Sequence, residues 1–307
     1  MNSEKIAILA DSGSDLSPEL LAKYPIYVVP LHIIFPERDY LSGIDISSQD
    51  VYDKMTNGNI PKTSMPSFYE VHEYFEKIKE DGFEKVLVIT VSKTLSGTNN
   101  LIHLVAEEFE DELDIFIVNS KTLSMGAGLI VLESARSIEA GRSWRDVKRI
   151  CVRAVRLSRI TFTLSSLEYL KKGGRIGAVS ATLGGMLGIK PIITCDENGS
   201  FAVIDKVRGF DKGIRKCSEI SAGIAAECSH YSICLIYGES TPEIDRVRKA
   251  APEVFSRADL YLEQQVSPVL GVHTGPGLLG FAILPEVYKN AAQQKASEEP
   301  SEEPKEN

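Results

Sequence analysis

Lys85–Val105, KVLVITVSKTLSGTNNLIHLV, is the stretch whose reading decides the fold. Val86, Leu87, Val88, Ile89, Thr90 and Val91 form a short β-rich apolar run, the form taken by a strand buried on both faces of a parallel sheet. Leu101, Leu104, Val105 and Phe109 then recur at helical spacing, so Ser96-Gly97-Thr98 falls where a strand hands over to a helix. Such a junction offers unpaired backbone N–H groups and the positive end of a helix dipole. Ser96 and Thr98 add hydroxyls, and Gly97 permits close approach of the backbone. The arrangement fits a cradle for a carboxylate or phosphate, and it equally fits a plain helix cap by Ser96 or Thr98.

Toward the N-terminus, Lys5–Ala10 reads as a first strand ending in Asp11-Ser12-Gly13-Ser14-Asp15, followed by a helix start at Ser17-Pro18-Glu19. Open α/β sheets place ligands at such strand ends, although Asp, Ser and Gly are also ordinary turn residues. Ile26–Phe35 reads as a second strand, Tyr40–Ile46 as a short extended piece and Val51–Asn57 as a helix. Pro61-Lys62-Thr63-Ser64-Met65-Pro66-Ser67 is a loop stiffened by two prolines, with a helix expected over about Ser67–Lys79. Hydroxyls held in place cost less entropy on binding, so Thr63 or Ser64 offers a second donor to an anion. Alternatively Ser67 and Glu70 form a capping box and the loop is only a connector.

Asp114–Val118 gives a further strand and Met125–Glu139 a helix closed by Gly141. Strands thus alternate with helices, the pattern of a mainly parallel sheet covered on both faces. Ser143–Ser158 is amphipathic, with Trp144, Val147, Cys151 and Val155 near one face and Arg145, Lys148, Arg149, Arg153 and Arg156 on the others. Without a helix-turn-helix context or interleaved aromatics, those basic residues fit a solvated face or an acidic partner rather than DNA.

The second half begins with a strand at Ile160–Leu164 and a helix at Leu167–Lys172 preceded by capping-box spacing at Ser165-Ser166-Leu167-Glu168. Ile176–Ile189 carries no charge, and its small residues alternate with Val179, Leu183, Met186 and Leu187. Together with Ile176 these residues suit the lining of a tunnel, or tight helix packing. Pro191–Cys195 and Phe201–Val207 flank an Asn-Gly turn as a hairpin. Helices at Asp211–Cys228 and Pro242–Phe255 and strands at Ser232–Tyr237, Asp259–Glu263 and Phe281–Leu284 complete a second α/β unit. His273 sits in the glycine-rich run Gly271–Gly280. That run satisfies GxGxxG at Gly275–Gly280, but no βαβ unit follows and a dinucleotide site is not expected.

The chain is therefore expected to form two α/β domains, 1–159 and 160–288, with 268–284 returning to the ligand site and 289–307 a disordered acidic tail. The 307 residues carry a formal charge of −9, and Ala296–Asn307 holds five glutamates and one lysine of it, so the body offers no global attraction for nucleic acid. The five cysteines show no CxxC pairing, which fits reduced thiols of the cytosol rather than a zinc site, and no signal peptide, stable membrane insertion, metal or cofactor is expected.

Seven motifs in order, DSGSD at Asp11, TSMPS at Thr63, LSGT at Leu95, SLEYLKKGGRIG at Ser166, LGIKPII at Leu187, VRGFDKG at Val207 and GVHTGPGLLG at Gly271, resemble the DegV family over Ile6–Leu284. The resemblance implies a bacterial fatty-acid-binding protein of the type that serves as the binding subunit of a fatty acid kinase. It implies one fatty acid held between two α/β domains, with the carboxylate on Thr63 and Ser96 and with His273 close by; Ser64, Gly97 and Thr98 are accessory candidates. It also implies that Arg175, after the paired glycines, docks the kinase. Asn119 and Asn99-Asn100 depart from the residues common in the family.

The expected function is a carrier without catalytic residues, holding a long-chain fatty acid in an apolar tunnel and presenting it to a separate kinase for acyl-phosphate formation. The alternative is an acyl hydrolase with Ser96 as nucleophile and His273 as base, although no GxSxG elbow is present. Autonomous kinase activity lacks a GxxxxGK[ST] loop.

Overall fold

The computed structural model describes residues 2–55, 59–183, 188–239, 242–250 and 252–287. In chain order the first half runs β1 (Ile6–Asp11), α1 (Pro18–Leu21), β2 (Ile26–Val29), β3 (His32–Ile34), β4 (Asp39–Leu41), α2 (Ser48–Met55), β5 (Lys62–Ser64), α3 (Phe68–Glu80), β6 (Lys85–Thr90), α4 (Thr98–Ala106), β7 (Asp114–Asn119), α5 (Met125–Glu139) and α6 (Trp144–Leu157). The second half continues β8 (Arg159–Leu164), α7 (Glu168–Lys172), α8 (Gly177–Leu183), β9 (Ile189–Cys195), β10 (Phe201–Arg208), α9 (Phe210–Ala226), β11 (Tyr231–Tyr237), α10 (Pro242–Ala250), α11 (Pro252–Ser256), β12 (Leu260–Gln265), α12 (Pro268–Thr274) and β13 (Leu278–Pro285).

The apolar run that opened the sequence becomes β6, a central strand of a parallel sheet ordered β2-β1-β6-β7. Its residues alternate between two cores. Val86 and Val88 pack with Val71 and Phe75 of α3 and Ile102 and Val105 of α4. Leu87 and Ile89 join Leu129 and Ile138 of α5 and Val147 and Ile150 of α6. Both faces are covered, so alternation of polar and apolar residues is absent from the sequence.

The strand expected over Ile26–Phe35 is broken. Pro30 separates β2 from β3, since proline brings no N–H to a ladder. The Leu31 N–H instead donates to Ser12 Oγ at 2.9 Å, and β3 leaves for a small antiparallel sheet, β4-β3-β5. Thr63 pairs with Ile33 and Ser64 with His32 there, so the hydroxyls expected on a loop are fixed by a strand. The expected helix at Val51–Asn57 runs over Ser48–Met55, and Asn57 lies outside the described residues.

The second sheet is ordered β10-β9-β8-β13-β11-β12 and is antiparallel except for β11–β12. Its last strand in sequence, β13, lies between β8 and β11 and extends further than the expected Phe281–Leu284. One apolar cluster runs from the parallel sheet through α5 and α6 into β8 and β13, so the two halves share a core. At Ser165–Glu168 no capping box forms; Ser166 Oγ accepts from the Glu168 N–H at 3.2 Å, but Leu167 is the cap residue.

Of the two readings of the charge-free segment, tunnel wall or tight packing, Val179 and Ile176 take the second. Val179 is fully buried in the shared core where α8 packs on β9 and β10, and Ala178, Ser180, Ala181 and Thr182 are exposed. Ile176 packs against the same core, Leu183 ends α8, and Met186 and Leu187 lie outside the described residues, as does the tail 289–307. Among the described residues the five cysteines are free, and no helix is long and apolar enough to cross a membrane.

Candidate functional site

Thr63 stands in the middle of β5, a strand locked to β3 on one edge and followed by Met65, whose sulfur lies close to Gly97. A Cβ on Gly97 would come within 3.0 Å of the Met65 Sδ, so glycine is what lets the two loops meet. Gly97 caps α4, and Ser96 Oγ lies 2.8 Å from Thr98 Oγ1 while accepting from the Thr98 N–H at 3.3 Å. Ser96 therefore satisfies a first-turn N–H of α4, as the helix-cap reading of the SGT turn requires, and it also lines a cavity.

That cavity is about 410 Å³ and is shared by both halves of the chain. Its polar lining residues are Thr63, Ser64, Ser96, Arg175, His273 and Thr274. The rest is largely apolar, with Leu31, Val91, Leu95, Leu123, Phe201 and Leu270 among the contributors. The volume lies in the range of small-molecule sites, and a mostly apolar wall with a few polar side chains suits an amphipathic ligand.

His273 is on the last turn of α12 rather than in a loop, and its Nε2 lies 2.9 Å from Thr63 Oγ1. Its Nδ1 is buried without a hydrogen-bond partner and faces Gly173, where an added Cβ would stand 2.1 Å from it. Burial, helped by the charge of Arg175, pushes the imidazole pKa down to about 4, so the ring is neutral near pH 7. Arg175 is itself held in place: Nη1 donates to the Gly173 carbonyl at 2.7 Å and Nε to the Leu95 carbonyl at 3.3 Å. The guanidinium supplies the positive charge beside the hydroxyls. The motif resemblance gave Arg175 a docking role only, and its place in the cavity wall was not anticipated.

The hydrolase arrangement is not formed in this geometry. Ser96 bonds to Thr98 and His273 to Thr63, and the nitrogen that an orienting acid would hold, Nδ1, has no partner.

The DSGSD turn is used inside the fold rather than at the cavity. Asp11 accepts from the Gly13 N–H at 3.0 Å and from the Val91 N–H at 2.8 Å. Asp15 accepts from the Ser124 hydroxyl and, at 2.8 Å, from the Ser267 N–H at the start of α12. Burial pushes Asp11 up to about 6 and Asp15 up to about 7. The apolar wall residues Leu31, Leu123, Phe201 and Leu270 carried no local signal, because each comes from a different element and only the fold assembles them. Among the described residues no group of three or more His, Cys, Asp or Glu is placed to hold a metal ion.

The family model described as "Uncharacterised protein, DegV family" matches residues 5–286. The chain belongs to the DegV family. A DegV domain-containing protein of Clostridium acetobutylicum is 36% identical over 280 residues, covering 91% of this chain and 99% of its own. Among solved DegV-like structures, the DegV family protein of Thermus thermophilus, described for its fatty acid binding, is 27% identical with a TM-score of 0.85, covering 93% of this chain and 100% of that one. A stearic acid-binding protein of Eubacterium ventriosum is 29% identical with a TM-score of 0.82, covering 92% and 99%.

Proposed function

We propose that this DegV protein binds one long-chain fatty acid in the 410 Å³ cavity and hands it to a separate fatty acid kinase for acyl-phosphate formation. The observation that carries the reading is the pairing of Thr63 with His273 in the wall of a largely apolar cavity that Ser96 and Arg175 also line. Support comes from the fatty-acid-binding relatives of the same fold. In this reading the carboxylate accepts hydrogen bonds from Thr63 and Ser96 and lies in the field of Arg175, while the acyl chain runs along Leu31, Leu123, Phe201 and Leu270. Burying about sixteen carbons at roughly 0.8 kcal/mol each supplies on the order of 12 kcal/mol before the costs of association. Each hydrogen bond to the charged head contributes about 1.5 to 3 kcal/mol. The chain dominates affinity and the hydroxyls set orientation. No residue in this account forms a covalent intermediate; the protein is a carrier.

Native mass spectrometry of the purified protein tests the binding step, with a co-purified fatty acid as the expected result and a ligand-free protein that takes up none on addition as the overturning one. Thr63→Ala and Ser96→Ala are each expected to weaken binding about tenfold, from the loss of one charge-assisted hydrogen bond. The kinase step rests on the motif resemblance. Its test is acyl-phosphate formation by a fatty acid kinase with ATP and the loaded protein, and Arg175→Ala is expected to slow that reaction more than it weakens fatty acid binding.

A further inference from the structure

Of the residues that line the cavity, only Ser64, Met65 and Gly97 are exposed. They mark where it meets solvent, between the end of β5 and the start of α4, next in sequence to Thr63 and Ser96. The surface beside this mouth is apolar. Met65 is 46% exposed, Tyr69 in the first turn of α3 is 79% exposed, and Leu104 of α4 is 57% exposed. These elements adjoin one another, since α3 packs on α4 and the Met65 sulfur lies against Gly97 at the cap of α4. The inward faces of both helices are already filled by Val71, Phe75, Leu101, Ile102 and Val105, so Tyr69 and Leu104 add little to the core. Apolar side chains gathered in the open in this way mark a contact surface.

Tyr69 is braced from behind. Its ring meets Phe68 edge-on at 6.1 Å, Phe68 stacks on His72 at 6.5 Å, and His72 lies 4.9 Å from the buried ring of Phe109. A tyrosine held in this way loses little freedom on binding, and tyrosine is among the residue types on which contact energy concentrates. The border of the patch is acidic. Glu73 follows Tyr69 by one turn, and Glu107 and Glu108 follow Leu104 by one turn, all three exposed. Glu108 meets His72 at 3.5 Å, whereas Glu73 and Glu107 make no ion pair among the described residues. Such a border repels an anionic bilayer and attracts a protein surface whose rim is basic.

We propose that Met65, Tyr69 and Leu104 form the centre of a docking surface for a protein with an apolar contact patch ringed by Lys or Arg, and that this partner is the enzyme that phosphorylates the bound acid. The inference rests on the carrier reading given above. In that reaction a carboxylate oxygen forms its bond to the γ-phosphorus of ATP as ADP leaves, so the enzyme has to approach the mouth of the cavity within bonding reach of the head group. Met65 belongs both to the cavity wall and to the patch, so a partner seated on Tyr69 and Leu104 is already at that mouth.

The test uses the full chain loaded with palmitate, a fatty acid kinase that accepts it, and ATP. Tyr69→Ser combined with Leu104→Ser is expected to raise the KM for the loaded protein about thirtyfold while kcat and palmitate affinity stay as in the wild type. Met65 is left in place because it lines the cavity. Glu73→Lys combined with Glu107→Lys is expected to raise the same KM about tenfold at low salt and to lose most of that effect at high salt. An unchanged KM in the Tyr69 and Leu104 variant overturns the docking surface and leaves the carrier reading standing. A wild-type protein that takes up no palmitate overturns the carrier reading and this inference with it. Binding of the wild type to phosphatidylcholine vesicles that the same variant abolishes assigns the patch to a bilayer, and a dimer in sedimentation that the variant dissolves assigns it to a second copy of the chain. Either result overturns the proposal.

Discussion

Thr63 Oγ1 and His273 Nε2 lie 2.9 Å apart, though 210 positions separate them in sequence. The neutral ring has one N–H, and the hydroxyl has one proton. If Thr63 is to donate to a ligand carboxylate, it must accept from His273, which places the ring proton on Nε2 and leaves Nδ1 as a bare acceptor facing Gly173. The histidine in this arrangement orients the threonine hydroxyl and brings no charge of its own.

A neutral buried histidine leaves a signature in stability. The folded pKa of about 4 lies below the ordinary value of 6.5, so between those limits the unfolded chain binds more protons. The stability tied to His273 is fully present above pH 6.5 and is lost as pH falls through the window toward 4. His273→Gln is expected to remove a slope of up to about 1.4 kcal/mol per pH unit there. Urea unfolding of ligand-free wild type and variant at pH 5 and pH 7 checks it. Parallel pH dependence in the two proteins would show that the ring is not held neutral.

Gly173 fixes where that ring sits. An added Cβ would meet Nδ1 at 2.1 Å, Cε1 at 2.8 Å and the Tyr169 carbonyl at 3.1 Å, so the imidazole or α7 has to shift. Gly173→Ala is expected to break the contact to Thr63 and weaken fatty acid binding at least as much as Thr63→Ala, while overpacking costs about 1 to 3 kcal/mol of stability. Calorimetric titration of both variants with one fatty acid decides it, and full retention of affinity in Gly173→Ala would refute the assignment.

How far the sequence carried these conclusions depended on whether a feature was local. The Val86–Val91 run and the helix spacing after it gave β6 and α4 correctly, because burial on both faces leaves its mark on every residue of the strand. Ser67 and Glu70 gave their capping box, three residues apart. Pro30 was visible in the sequence, but the departure of β3 into another sheet was not, since it depends on Ser12 Oγ across the turn. A charge-free, small-residue segment reads the same whether Val179 faces a ligand or the core, and at Val179 it faces the core. His273 was found as a residue but not as part of a helix, its glycine neighbours having suggested a loop.

Asp15 joins the start of α5 to the start of α12 through Ser124 and Ser267. Burial raises its pKa to about 7, with the neighbouring Asp11 adding to the rise and the two serines opposing it. A raised folded pKa means that this group's contribution to stability is fully present below the ordinary carboxylate range and is lost as pH rises through 7. Asp15→Asn keeps an acceptor for the Ser267 N–H and cannot ionise. Relative to wild type, the variant is expected to gain about 2 to 4 kcal/mol in stability between pH 4 and pH 8. Denaturant unfolding across that range measures it, and a difference independent of pH would show that Asp15 stays ionised.

Leu270 offers a way to separate the two ends of the cavity. It lies three residues before His273 on α12, is half-buried, and packs against both the shared core and the cluster around Leu31 and Tyr52. Leu270→Trp places added bulk among the apolar wall residues and leaves Thr63, Ser96 and Arg175 in place. If the acyl chain lies there, shutting out about four carbons costs roughly 3 kcal/mol, about a hundredfold in affinity for a sixteen-carbon acid. An eight-carbon acid, held mainly by its carboxylate, is expected to lose little. Binding of the two acids to wild type and variant, measured alongside thermal unfolding to confirm an intact fold, gives the comparison. Equal losses for both chain lengths would mean that Leu270 acts on the head group, and the acyl chain would have to leave Thr63 by another route.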